Sequence, residues 1–233
     1  MERILIKFTK LKAARFISHL DTMRTLHRAF RRADIPISYS KGFNPHASIS
    51  IAAPLSLGVG SKAEYADIEI NDYQNTKNIK EGLNSSLPEG IEITDVVIIN
   101  ERMPASMAVV EAASYNVILN HCAKPNEVLA LINKILSMEV IERTKKTKSG
   151  EKLVNIRPLI DDIKVVNISK DYVEFKFLLK TGSRANVGAE VISDLVKELS
   201  EGKIFGYADI VREELYGIKN NNYIDLISLF SRK

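Results

Sequence analysis

Two stretches of the sequence gather side chains that could do chemistry. One is Ser18-His19-Leu20-Asp21; the other is Lys41-Gly42-Phe43-Asn44-Pro45-His46. Three of the four histidines, His19, His27 and His46, lie in the first 46 residues. An imidazole titrates near neutral pH, so His19 or His46 beside Asp21 or Asp67 would make an acid–base pair. The same groups are borderline metal ligands. However, His19 sits at a helix start and His27 borders an apolar face, so no metal site and no cofactor are expected. The known phosphate-cradling, dinucleotide-binding, nucleophile-elbow and zinc-protease signatures are missing. Cys122 is the only cysteine, which excludes an intramolecular disulfide and a cysteine-based zinc or iron–sulfur site.

Charge points to an anionic partner instead. The first 46 residues hold ten Lys/Arg against three Asp/Glu, a net of +7, whereas the whole chain carries +4. The remaining 187 residues therefore carry about −3. A basic N-terminal quarter on a nearly neutral body suits RNA or another anion, or else is a solvated helix face. Lys10, Arg15, Arg24, Arg28, Arg31 and Lys41 supply the cations, and Tyr39 and Phe43 the stacking groups. Asn44 and His46 sit beside them on the loop.

The elements that must position these groups follow from periodicity. Residues 3–9 alternate as a strand. Ser18 is an N-cap with Asp21 as its charge partner, and the helix should run to about Ala33, stopping before Pro36. Leu20, Met23, Leu26 and Phe30 are expected to face the core. Arg24, Arg28, Arg31 and Arg32 fall roughly 145° away. Residues 40–46 are too rich in turn formers for helix or strand. Strands are expected at 48–53 and 63–70, the second showing Tyr65, Asp67 and Glu69 on one face as an acidic row. A helix at 76–86 and a strand at 91–99 complete the order β-α-β-β-α-β.

A boundary is expected near residues 103–110. Beyond it, strands are expected at 114–120, 138–143, 152–156, 163–168, 172–180 and 208–216. Helices are expected at 126–136, 187–199 and 223–230, with a basic turn at 144–152. The expected fold class is α+β: two tandem ferredoxin-like units with antiparallel sheets, as domains 1–102 and 112–233.

The motifs have a family resemblance. The runs Phe16-Ile17-Ser18-His19-Leu20-Asp21, Tyr39-Ser40-Lys41-Gly42-Phe43-Asn44-Pro45-His46, Pro54-Leu55-Ser56-Leu57-Gly58 and Ser61-Lys62-Ala63-Glu64-Tyr65-Ala66-Asp67 carry it. Together they resemble the bacterial "radical SAM-linked" family of unknown function, found alone or fused behind a radical S-adenosylmethionine enzyme. The similarity extends more loosely through Arg143-Thr144-Lys145-Lys146 and Asn155-Ile156-Arg157-Pro158-Leu159. Here Ala47 stands where the family has a second proline, and Asn155 where it usually has an acidic residue. The resemblance implies a radical enzyme as partner, on a separate chain, and supplies no reaction. Arg143, Lys145 and Arg157 join the candidate binding residues.

The sequence therefore reads as a non-catalytic partner module that holds RNA or another anionic substrate through its basic N-terminal face. One rival is an enzyme using His19 or His46 with Asp21 or Asp67. Another is a protein–protein interaction module. No apolar run approaches the ~20 residues that span a bilayer, and no secretory signal is evident, so a cytoplasmic protein with no membrane partner is expected.

Overall fold

The structure is a computed structural model that describes residues 2–72, 75–99, 103–147 and 150–231. In chain order it contains β1 (Glu2–Lys10), α1 (His19–Arg32), β2 (Ile49–Ile51), β3 (Gly60–Ile70), α2 (Thr76–Ser86), β4 (Ile93–Ile99) and α3 (Ser106–Val109). Then follow β5 (Ala112–His121), α4 (Pro125–Ser137), β6 (Glu142–Thr147), β7 (Gly150–Asn155), β8 (Ile160–Ile168), β9 (Tyr172–Lys180) and α5 (Ala189–Leu199). Last come β10 (Ile204–Lys219), β11 (Asn222–Asp225) and α6 (Leu226–Phe230). This is a mixed α+β chain whose registered strand pairs are antiparallel.

The chain forms two units, residues 1–112 with 212–233, and residues 113–211. Residues 212–233, which the sequence reading placed in the C-terminal domain, group with the first unit. There Arg212, Glu213 and Glu214 pair with Glu64, Lys62 and Lys7, and Leu215, Leu226 and Phe230 are buried. No local pattern reveals such long-range partners.

In the first unit β4, β1 and β3 lie side by side, and β2 pairs the far part of β3. Ile4, Ile6 and Phe8 of β1 and Ala66, Ile68 and Ile70 of β3 meet Leu26, Ala29 and Phe30 of α1 and Ile79 and Leu83 of α2. Burying each large apolar side chain contributes about 1.5–3 kcal/mol. Ser18 caps α1, its Oγ accepting from the Asp21 N–H at 3.1 Å. Asn75 caps α2, accepting from the Lys77 N–H at 2.8 Å.

Three local expectations give way. Leu20 is 64% exposed, while Leu26 and Phe30 are fully buried. Steps of three residues lag by about 60° each on a helix, so Leu20 has drifted roughly 120° from Leu26. The expected strand at 48–53 shrinks to the three residues of β2. The expected acidic row is not on the surface: Tyr65 and Asp67 are buried with Glu64, and only Glu69 of the row is exposed.

In the second unit β5 lies between β10 and β9, and β8 pairs β9. Val117, Leu119, Phe175, Phe177 and Leu179 are buried, as are Val128, Ile132, Ile192 and Leu195 on α4 and α5. Pro125 opens α4, where Glu127 accepts from the Lys124 N–H at 2.8 Å. The 144–152 stretch, expected as a basic turn, is mostly the β6–β7 hairpin, a two-stranded sheet of its own.

Candidate nucleic-acid interface

The basic face is built by α1. Arg24, Arg28 and Arg31 are all exposed. At 100° per residue they fall within an arc of about 60°, some 140–160° from Leu26, so burying the core stripe turns them to solvent. Arg24 bonds Asp21 at 3.0 Å. The guanidinium groups of Arg28 and Arg31 have no ion-pair or hydrogen-bond partner among the described residues. The Ser18 hydroxyl and then Arg24 hold the Asp21 carboxyl below its ordinary range. Arg32 donates to the Ser86 carbonyl at 2.6 Å and joins helix to helix rather than facing a ligand.

The loop stands beside this face. Its base is clamped to β3: Ile37 bridges Ile70, and the Ser38 N–H donates to the Glu69 carbonyl at 2.8 Å. Tyr39 bridges Ala47, and the Ser40 N–H donates to the His46 carbonyl at 2.8 Å. The His46 N–H donates to the Ser40 Oγ at 3.0 Å. One more link ties the base to the helix: Tyr39 Oη lies 2.8 Å from His27 Nε2, with the two rings edge to face at 6.0 Å. From this base Lys41, Gly42, Phe43, Asn44, Pro45 and His46 project into solvent. Phe43 is 103% exposed, so it contributes nothing to the core. Gly42 sits at φ 155° with open space where a Cβ would be.

Between the C-terminal end of α1 and Tyr39 lies an open cavity of about 210 Å³ lined by His27, Arg31, Asp34, Ile35, Pro36 and Tyr39. Asp34 is in the left-handed region at φ 54°.

Other candidates are tied into the structure. Lys10 is buried and donates to the Ile17 carbonyl at 2.9 Å; burial lowers its pKa. Arg15 donates to the Gly58 carbonyl at 2.6 Å and holds the 54–60 turn. In the second unit Arg143 pairs with Glu198 at 2.6 Å. Arg157 donates to the Ile160 and Leu136 carbonyls at 2.8 and 2.7 Å. The Lys145 side chain lies outside the described residues. Asn155, where the resembled family is usually acidic, accepts from the Ile141 and Arg157 N–H groups at 2.9 and 3.0 Å, a backbone-capping task.

No hydrogen bond joins His19, Asp21, His46 and Asp67 to one another among the described residues. His19 is exposed at the start of α1. The buried Asp67 accepts from the N–H and hydroxyl of Ser106 and lies 3.7 Å from Arg3. No group of three or more His, Cys, Asp or Glu is placed to hold a metal among the described residues.

Sequence reasoning missed two features. One is the cavity, signalled only by an Asp just before Ile-Pro at a helix end. The other is a buried charge cluster in the first unit. Arg212 bonds Glu64 and the Ala53 carbonyl, with Lys10 near both. On the opposite face of β3, Glu214 takes Lys7 and the Tyr65 hydroxyl, each at 2.7 Å. Burial, reinforced by Glu214, pushes the Tyr65 pKa upward.

Residues 3–189 match the family described as "Uncharacterized protein conserved in bacteria (DUF2344)". No curated protein matches the sequence. Among solved structures, the chain is similar to one in the crystal structure of a Cbf5-Nop10-Gar1 complex. The identity is 9% and the TM-score 0.48, over 91% of this chain and 48% of that one. It is also similar to a chain of an H/ACA RNP bound to a substrate RNA containing 2′-deoxyuridine. That match is 10% identical at a TM-score of 0.45, over 90% and 46% of the two chains. The chain thus spans about half the length of these structures. No helix among the described residues is long and apolar enough to cross a membrane.

Proposed function

The chain belongs to this family of uncharacterized bacterial proteins, and we propose that it is a non-catalytic module that binds single-stranded RNA. One observation carries the reading. A row of exposed arginines, two of them without partners among the described residues, lies beside a clamped loop that holds Phe43 wholly in solvent. Guanidinium groups suit phosphates, and a bare aromatic ring suits a base. The resemblance at 16–21, 39–46 and 54–67 adds the proposal that a radical S-adenosylmethionine enzyme on a separate chain is the partner. Phe16 and Leu20, 63% and 64% exposed before and at the start of α1, are where we place that contact. We also read both units as ferredoxin-like. The antiparallel order β4-β1-β3-β2 in the first and the order β10-β5-β9-β8 in the second support this.

Salt dependence tests the reading. Arg24, Arg28, Arg31 and Lys41 offer four phosphate contacts. For a single strand, each contributes about −0.7 to the slope of log affinity against log salt. Four contacts predict a slope near −2.8, an affinity loss of about 50-fold between 50 and 200 mM salt. Arg24→Glu with Arg28→Glu should reduce this to about sevenfold and weaken binding at every salt concentration. Both residues are exposed, so unfolding should be unchanged within about 0.5 kcal/mol. Equal affinity and slope in the double variant would refute the interface.

A further inference from the structure

We infer that the cavity at the end of α1 is a subsite for one nucleobase, and that the base it favours is guanine. The inference rests on the RNA-binding reading for its location and on the cavity's own chemistry for its selectivity.

About 210 Å³ is small beside the ~300–1,000 Å³ of ordinary small-molecule pockets, so it suits a single flat group rather than an extended ligand. Its walls are of three kinds. Ile35 and Pro36 give an apolar side. Tyr39, 51% exposed, gives an aromatic surface. Its hydroxyl contact with His27 at 2.8 Å fixes the ring's orientation, so a base meets a platform already in place. Arg31 and Asp34 give opposite charges. They line one cavity, yet no ion pair within 4.0 Å joins them, and neither side chain has another partner among the described residues.

Asp34 is the informative residue. It sits just past the C-terminal end of α1, where the helix dipole disfavours a carboxylate. Its backbone is left-handed, a conformation that Gly, Asn and Asp accept. A carboxylate that the helix dipole disfavours, lining a cavity, makes sense as a recognition group. An ionised carboxylate only accepts hydrogen bonds, through two oxygens. Among the four RNA bases, guanine alone presents two adjacent N–H donors, N1–H and the N2 amino group, along one edge. Adenine and cytosine place an acceptor beside their amino group, and uracil has one N–H between two carbonyls. Asp34 therefore selects guanine, while Arg31, continuous with Arg24 and Arg28 along α1, takes the adjoining phosphate.

Fluorescence anisotropy of the full chain tests this with two labelled RNA 12-mers, oligouridylate and the same strand with one central guanosine. Saturation-transfer NMR with guanosine and uridine 5′-monophosphates runs in parallel. The guanosine strand should bind roughly tenfold more tightly, the usual worth of one bidentate base contact. In Asp34→Asn the preference should collapse to within about twofold. The variant should be at least as stable as the parent, since Asn accepts the left-handed backbone and removes the charge from the helix end. Tyr39→Leu should lose most of the preference as well. Equal affinity for both strands, or a preference that survives Asp34→Asn, overturns the subsite and leaves the RNA reading standing. Guanosine monophosphate bound in an Asp34-dependent way, with neither strand bound, upholds the pocket and overturns the RNA reading. Binding of none of the four probes overturns both.

Discussion

Removing the Arg212 side chain should unfold the protein far more readily than its place near the end of the chain suggests. The Arg212 side chain is 1% exposed and that of Glu64 is 3% exposed. Arg212 also donates to the Ala53 carbonyl at 2.9 Å. In Arg212→Ala the Glu64 carboxylate stays buried without its guanidinium, and a carbonyl loses its donor. Breaking one half of a buried pair costs about 3–5 kcal/mol. For a chain of this length each kcal/mol is worth about 2–4 °C, so the midpoint should fall by roughly 6–20 °C. Arg212→Met with Glu64→Leu removes both charges and most of the penalty, and should recover the larger part of that loss. Thermal unfolding followed by circular dichroism measures both variants. If Arg212→Ala melts within about 3 °C of the parent, or the double variant melts lower than the single one, an unpaired buried Glu64 carboxylate is not the source of the loss.

Two further outcomes are expected. Phe43→Ala should leave the melting temperature unchanged, because the ring touches no core, and weaken single-strand binding about 5- to 150-fold in the anisotropy assay. Alkaline titration of stability should show two opposed groups. Lys10 has its folded pKa below 10.5, so the unfolded chain binds the extra proton and stability rises as pH climbs towards that value. Tyr65 has its folded pKa above 10.0, so its contribution is lost as pH rises past 10. Lys10→Met should flatten the rise and Tyr65→Phe the later fall, in denaturant unfolding between pH 8 and 11.

The local chemistry of α1 was readable from residue types. Ser18 with Asp21 marks its start, Pro36 its end, and Leu26 and Phe30 its buried side. Because the arginines stand opposite that side, their exposure followed from the 3.6-residue period alone. The exposed loop was readable too, since Gly42, Asn44 and Pro45 leave no regular structure for residues 41–46. Leu20 was misplaced because a three-residue step drifts off the face over two turns.

What the tertiary structure decided was which charges stay available. Lys10, Arg15, Arg143 and Arg157 look in sequence just like Arg28 and Arg31. They are occupied because carbonyls at Ile17, Gly58, Ile160 and Leu136, or Glu198, come within reach only after folding. Asp67 read as part of an exposed acidic row, yet it is interior beside Ser106 from 39 residues away, and Glu64 on the other face is interior beside Arg212 from 148 residues away. The cavity beside Tyr39 likewise exists only because a chain turn after α1 brings His27 and Tyr39, twelve positions apart, into contact. Periodicity reports which face of an element is buried; it carries no record of which distant group will neutralise a charge there, because that pairing is set by the packing of the whole unit.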